Sequence, residues 1–454
     1  MNDLVLKNCK FVDKSGDYYI GINNDKIAEI SKQPLKSDDE IDAKGQFLLP
    51  GLIDPHVHFR DPGLTYKENF KTGSLAAANG GFTCVLDMPN TIPPTNTAKA
   101  FKEKKKIGER KSIIDFGLHS GLNDLDEIKK IAKLNPASFK IFMDLFEDSE
   151  IEEMFKNISI INEESESPKL LTLHCENKEI VEENTERLKK SAPPNGNTAI
   201  NYSYTRPSEA EVVSVGYATF LAEKYKLSLH ICHLSTKESL NYLKSIKSKN
   251  IDITTEITPH HLLLNNTAFN EFGTIMKTNP PLRPKGENLT TSDLEDINII
   301  GTDHAPHSLE EKQRGVWDSS PGIPNLETVL PLILTEVNNG NIDLRMIPKL
   351  MSENPAKRFN IENKGKIKIG YDADLIVIDL KKEGKFDLDN FYTKAEYSPF
   401  ENYAYKGIAT MTISNGNIIM KDSNKEDNVE DRYVDTDIAN NNRRKYVYDL
   451  IWLI

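Results

Sequence analysis

The sequence predicts an α/β fold, a (β/α)8 barrel carrying a small composite β-sandwich domain made from the two flanks of the chain. Three observations lead there. Eight short apolar, β-rich runs alternate with helical stretches through the middle of the chain, the pattern of a parallel sheet with crossover helices. A different texture, short strands broken by polar turns, fills the first fifty residues and returns late. The length, 454 residues, accommodates a barrel of about 250 residues plus a smaller unit.

The first flank reads LVLKNCKFV, DYYIGI and KIAEI, broken at Asn23-Asn24-Asp25. The eight central runs are LIDPHVHF, FTCVLDM, SIIDFGL, SFKIFM, LLTLHC, LSLHICHL, IDITTEI and INIIGTDH. Between them, Ser208 with Glu211 has the spacing of a capping box ahead of VVSVGYATFLAEKY. The late flank holds GKIKIGYDADLIVIDL and GIATMTISNGNIIMK, where Asn415-Gly416 marks a hairpin. The expected units are therefore 1–50 and 361–422 for the composite domain, 51–360 for the barrel, and 423–454 for a polar tail. That tail reads as a solvated linker whose end, VYDLIWLI, docks on a neighbouring surface, with a subunit contact as the alternative.

Composition narrows the function classes. Charged residues are 28%, hydrophobic ones 38%, and the net charge is -12, so neither nucleic acid nor an anionic membrane is an expected partner. Cys9, Cys84, Cys175 and Cys232 have no CxxC spacing and read as free thiols of a reducing compartment. With no apolar leader and no membrane-length apolar run, the expected location is the cytoplasm.

All ten histidines, at 56, 58, 119, 174, 230, 233, 260, 261, 304 and 307, fall near the C-terminal end of a predicted strand or in the loop after it. Barrel active sites form at that face, so the distribution points to a metal site. Strand alternation puts His56, His58 and Arg60 on one face, and it sends Cys175 and Cys232 outward if His174 and His233 point inward. Asp303 ends a buried run and needs a partner; a metal-bound water is one, and the carboxylate can take and return its proton. Lys140 in SFKIFM is costly in an apolar strand unless neutralised or used. Reaction with CO2 to a metal-bridging carbamate is one solution, and a buried ion pair is the other.

These residues resemble the amidohydrolase superfamily, and within it the dihydroorotase branch. The resemblance spans about residues 1–425 and rests on PGLIDPHVHFRDPG, DMPNT, SFKIFM, LHCEN, RPSEAE, LHICHLST, TPHHLLL, KTNPPLRP, GTDHAPHSLEEK and PGIPNLET, in that order. It implies two zinc ions per subunit. His56, His58 and Asp303 would bind one, and His174 and His233 the other, with carboxylated Lys140 and a hydroxide as bridges. Asp144, four residues past Lys140, is the alternative bridge if the strand continues. Asp303 would be the catalytic proton carrier, and Arg60, Asn90, Asn279, His307 and Gly322 the substrate contacts. The implied reaction is the reversible cyclisation of N-carbamoyl-L-aspartate to dihydroorotate in pyrimidine synthesis. The implied partners are that small substrate, a second copy of the chain, and other enzymes of the pathway. The alternatives are another cyclic-amide hydrolase (dihydropyrimidinase, hydantoinase or allantoinase) and a non-catalytic scaffold. The loop Ala305–Pro324 is expected to order over bound substrate.

Overall fold

The structure, a computed structural model, describes residues 1–191, 199–249, 251–422, 432–434 and 444–449. Five strands come first: β1 (Asn2–Lys10), β2 (Asp17–Asn23), β3 (Lys26–Ser31), β4 (Ser37–Asp42) and β5 (Phe47–Pro50). The barrel follows with β6 (Leu52–Val57), β7 (Phe82–Asp87), β8 (Asp115–Leu118), β9 (Phe139–Phe142), β10 (Leu171–His174), β11 (Leu229–Ile231), β12 (Ile253–Ile257) and β13 (Ile299–Ile300). Each lies inside one of the eight apolar runs. The ladders form two parallel arcs, β6-β7-β8 and β9 to β13. Parallel bridges between Ser120 and Phe139 and between Val57 and His304 join the arcs into a closed ring.

Helices cover the outside: α1 (Phe70–Gly80), α2 (Ala98–Lys111), α3 (Leu125–Ala132), α4 (Asp148–Glu163), α5 (Lys178–Ser191), α6 (Asn201–Thr205), α7 (Ser208–Tyr225) and α8 (Lys237–Ser245). Asn69 caps α1 through the backbone N–H groups of Lys71 and Thr72, and Gly81, at φ 91°, ends it in the left-handed conformation that glycine adopts without a Cβ clash. The capping box expected at Ser208 and Glu211 does not form. Pro207 is the N-cap, without a side-chain cap bond. Glu211 instead accepts from the backbone N–H groups of Ser235 and Thr236, because two buried donors on the loop after β11 need an acceptor more than a helix start does.

After the barrel come β14 (Leu375–Lys385), β15 (Ala404–Ser414), β16 (Asn417–Asp422) and β17 (Arg432–Val434). They join the first five strands in one nine-stranded sheet ordered β17-β16-β15-β14-β5-β1-β2-β3, with β4 beside β1. Antiparallel pairing of β14 with β5 sets Leu375 opposite Pro50. Alternation along β14 explains how this sheet sits on the barrel: Leu375 and Val377 pack with Leu6, Ile20, Ile22 and Leu48, whereas Ile376 and Ile378 belong to the barrel core. Asn415 and Gly416, at φ 47° and 78°, make the expected hairpin. Most of the 423–454 tail lies outside the described residues, but 444–449 dock on the barrel: Tyr446 is buried and bridges Phe116 in β8 in parallel.

Candidate metal centre and anion site

His56 and His58 leave the end of β6 beside Asp303 at the end of β13. Their Nε2 atoms lie 3.2 and 3.0 Å from Asp303 Oδ1. Across the mouth, His174 Nδ1 is 3.0 Å from His233 Nε2. The ring centroids of His56 and His233 are 5.3 Å apart, so the two groups form one cluster, and donor atoms of His56, His233 and Asp303 lie within 4.8 Å of one another.

The far nitrogens of three of these rings are taken. His56 Nδ1 is 2.8 Å from Glu256 Oε1, His58 Nδ1 is 2.7 Å from Asn90 Oδ1, and His174 Nε2 is 2.8 Å from Glu176 Oε2. With those N–H groups donated outward, the remaining lone pairs face each other and Asp303 at about 3 Å. Acceptors at that separation repel unless a proton or a cation lies between them, so the donor set fits divalent cations of the kind imidazole and carboxylate bind. The electrostatics of the rings agree. Burial opposes protonation of His56, but Glu256, Cys232 and Asp303 raise it well above its ordinary value, and a cation would displace that proton. Burial lowers His58 to about 4, leaving it neutral.

Behind the second pair lies a buried charged layer. Arg206 contacts Glu176 through Nε and Nη2 at 2.8 and 2.6 Å, and its Nη2 is 2.6 Å from Asp144. Burial opposes ionisation of Glu176, but Arg206 and His174 hold it well below the usual range. Asp144 does not share the strand parity of Lys140, because β9 stops at Phe142 and Asp144 lies in a 3-10 turn. Its carboxylate faces Arg206 and is 3.6 Å from His174 Nε2.

Lys140 is buried on β9. Its Nζ has the Cys232 Sγ at 3.0 Å and the Phe142 ring centroid at 5.0 Å, and no carboxylate among the described residues is within ion-pairing distance. Cys232 therefore points inward, against the expectation from alternation. The reason is local: β11 ends at Ile231, Cys232 keeps the inward parity of His230, and His233 reaches the cluster only through a left-handed φ of 35°. Cys175 does pack in the apolar core. Arg60 and Asp303 are left-handed too, at φ 60° and 46°. Such backbone is uncommon outside glycine and gathers at functional sites.

Arg60 is buried with no carboxylate partner among the described residues. Its Nε reaches the Pro306 carbonyl at 3.4 Å, and its Nη2 lies 3.2 Å from His307 Nε2. His307 Nδ1 accepts from Lys67 Nζ at 3.1 Å, and burial followed by the charges of Arg60 and Lys67 keeps this ring neutral. Asn90 spends its Oδ1 on His58, and Asn279 accepts from Tyr202 Oη. At Gly322 the N–H donates to the Lys277 carbonyl, and the carbonyl accepts from Lys312 and Tyr397 at 2.9 and 3.0 Å. Lys312 Nζ ties the loop around it further, bonding the carbonyls of Lys277 and Ser320, each at 3.0 Å.

The other histidines do different work. His119, His230, His260, His261 and His304 each have both ring nitrogens engaged, for example His119 by Ser138 and the Pro55 carbonyl and His230 by Thr254 and Glu256. Sequence reasoning also missed Glu256, Glu176 and Tyr397. For Glu256 a signal was present, an acid inside the apolar run IDITTEI.

A closed parallel barrel with imidazoles and a carboxylate converging at the C-terminal ends of its strands defines a metal-dependent hydrolase. The chain belongs to the amidohydrolase family, whose model matches residues 47–419. It is 49% identical to a dihydroorotase of Methanosphaera stadtmanae over 93% of this chain and 97% of the relative. It is 48% identical to one of Methanothermobacter thermautotrophicus over 93% and 95%. Among solved structures it is similar to the L-hydantoinase (dihydropyrimidinase) of Arthrobacter aurescens, with TM-score 0.87, 30% identity, and coverage of 93% of this chain and 97% of that one.

Proposed function

We propose that the protein interconverts N-carbamoyl-L-aspartate and (S)-dihydroorotate at this cluster. It is a dihydroorotase-type hydrolase acting on the C–N bond of a cyclic amide. The observation that carries the substrate assignment is Arg60, a buried guanidinium beside the donor cluster with no carboxylate of its own. Burying such a charge unpaired is costly, and a substrate α-carboxylate supplies the missing partner through charge-assisted hydrogen bonds. His307, Asn279 and the free amide Nδ2 of Asn90 complete that receptor.

The proposed ligands are His56, His58 and Asp303 for one cation and His174 and His233 for the other, with zinc suited to these donors. When bound, the cations lower the pKa of water and polarise the amide carbonyl. Asp303 is placed to accept a proton from the attacking water and hand it to the departing ring nitrogen, or to reverse the path on ring closure. Lys140 is the proposed bridge: its neutral amine adds to CO2, forming an N–C bond and releasing one proton, and the carbamate is the anion its burial lacks. Asp144, engaged by Arg206, is the weaker alternative.

Dihydroorotate hydrolysis followed spectrophotometrically tests the reading. Arg60→Ala should lower kcat/KM about a hundredfold, the loss of a buried charge-assisted pair of about 3 kcal/mol. Turnover of dihydropyrimidines, hydantoins or allantoin with none of dihydroorotate would overturn it. Purified chain without bound metal, and inactive when metal is added, would favour a scaffold.

A further inference from the structure

Lys67 stands behind the carboxylate receptor without belonging to it. Two successive backbone turns carry it there: the Leu64 N–H donates to the Arg60 carbonyl and the Lys67 N–H to the Leu64 carbonyl, each at 3.0 Å. The chain thus folds back past Arg60, and the buried Lys67 ammonium ends 3.1 Å from His307 Nδ1. It is also 3.0 Å from Glu311 Oε1, to which Tyr66 Oη donates at 3.0 Å. Burial lowers the pKa of Lys67, and the Glu311 carboxylate opposes that fall, favouring the ammonium.

An ammonium has donors and no acceptor, so the His307 nitrogen it touches must offer a lone pair. Burial and the charges of Arg60 and Lys67 keep the ring neutral, which puts its one proton on Nε2. There it donates to the Pro321 carbonyl at 2.9 Å. Arg60 Nη2, 3.2 Å from the same nitrogen, is a donor as well, so no hydrogen bond joins the two. Instead, two N–H groups from different loops stand side by side, an arrangement that suits the oxygens of one carboxylate. Without Lys67 the balance reverses. Glu311 Oε2 lies 3.6 Å from Nδ1 and, as an acceptor only, would draw the ring proton to that side. Nε2 would then present a lone pair, accept from Arg60 and repel a carboxylate.

We propose that Lys67 is a positioning residue for the substrate carboxylate: it fixes His307 in the tautomer whose Nε2–H stands beside Arg60. The assignment rests on the reading of Arg60 and His307 as that carboxylate's receptor. Lys67 acts through His307 rather than on the substrate, so its loss removes binding that ground state and transition state share.

Two measurements on the zinc-loaded full chain test this role. In heteronuclear NMR spectra of chain labelled at its histidine nitrogens, the His307 signals are assigned by their loss in His307→Ala. Wild type should carry the proton on Nε2, and Lys67→Met should move it to Nδ1. In dihydroorotate hydrolysis, Lys67→Met should raise KM about tenfold or more while kcat falls less than about threefold. Lys67→Arg, again a donor without an acceptor, should return KM to within about threefold of wild type. The spectra need no substrate, and the wild-type spectrum stands whether or not a variant folds. A wild type inactive on dihydroorotate but protonated at Nε2 would fell the proposed reaction and leave the tautomer assignment standing. A proton on Nδ1 in wild type, one that stays on Nε2 in Lys67→Met, a Lys67→Met chain with wild-type KM, or a Lys67→Arg chain no better than Lys67→Met overturns the role of Lys67.

Discussion

Each imidazole of the cluster is aimed by what holds its far nitrogen. Glu256 shows this best, because its two oxygens reach His56 and His230 at 2.8 and 3.3 Å in a fully buried position. Replacing it by glutamine keeps the shape but removes the charge that raises the basicity of His56. We expect Glu256→Gln to weaken metal affinity about 10–100-fold, measured as bound metal after dialysis against graded chelator; unchanged retention would deny Glu256 this role. The residue scale is also where the sequence was most and least informative. His56, His58, His174, His233 and Asp303 could be picked out because their types are rare and their positions fall at strand ends. Cys232 could not be placed, since alternation fails where His233 turns left-handed, and nothing in the neighbouring residues announces that turn. Buried Glu256 was open to the same cost argument that exposed Lys140.

At the scale of elements, two buried acids clamp the segment between β14 and β15 onto the barrel domain. Glu68 accepts from Thr393 Oγ1 and the Lys394 N–H, and Glu327 accepts from Asn79 and the N–H groups of Tyr392 and Thr393. Tyr397 on this segment then reaches the Gly322 carbonyl beside His307. Burial pushes Glu327 up to about 7 despite those donors. A carboxyl whose pKa rises on folding contributes stability that is present below its unfolded value, near 4.5, and lost as the pH climbs through 7. Denaturant melts of wild type and Glu327→Gln should therefore diverge between those limits, wild type losing on the order of 3 kcal/mol relative to the variant. Parallel curves would place Glu327 in the ionised form throughout. Strand positions were legible because eight apolar runs have the length and β-branched content of buried strands. This clamp was not, because its partners lie far apart in the chain, 325 positions for Glu68 and Thr393 and 65 for Glu327 and Tyr392, and carry no local pattern.

For the whole molecule, the two flanks of the chain meet at the barrel. β5 pairs with β14, and residues 444–449 lie along β8, where Tyr446 Oη donates to the Asn135 carbonyl at 2.9 Å and Tyr448 Oη to the Phe359 carbonyl at 2.8 Å. Tyr446→Ala should cost about 3–5 kcal/mol, the range for deleting a buried aromatic ring, read as a lower unfolding midpoint in urea; a loss below about 1 kcal/mol would mean the segment is held loosely. The shared strand texture of the flanks made the composite sheet foreseeable, whereas its register depends on contacts that only the folded barrel provides. That pairing has a consequence during synthesis. When β5 leaves the ribosome, its partner β14 is still roughly 325 residues away, a wait of about 16–65 s at ordinary elongation rates. For that interval the outer edge of β5, the side that β14 will cover, stays open, and slowing translation would lengthen its exposure.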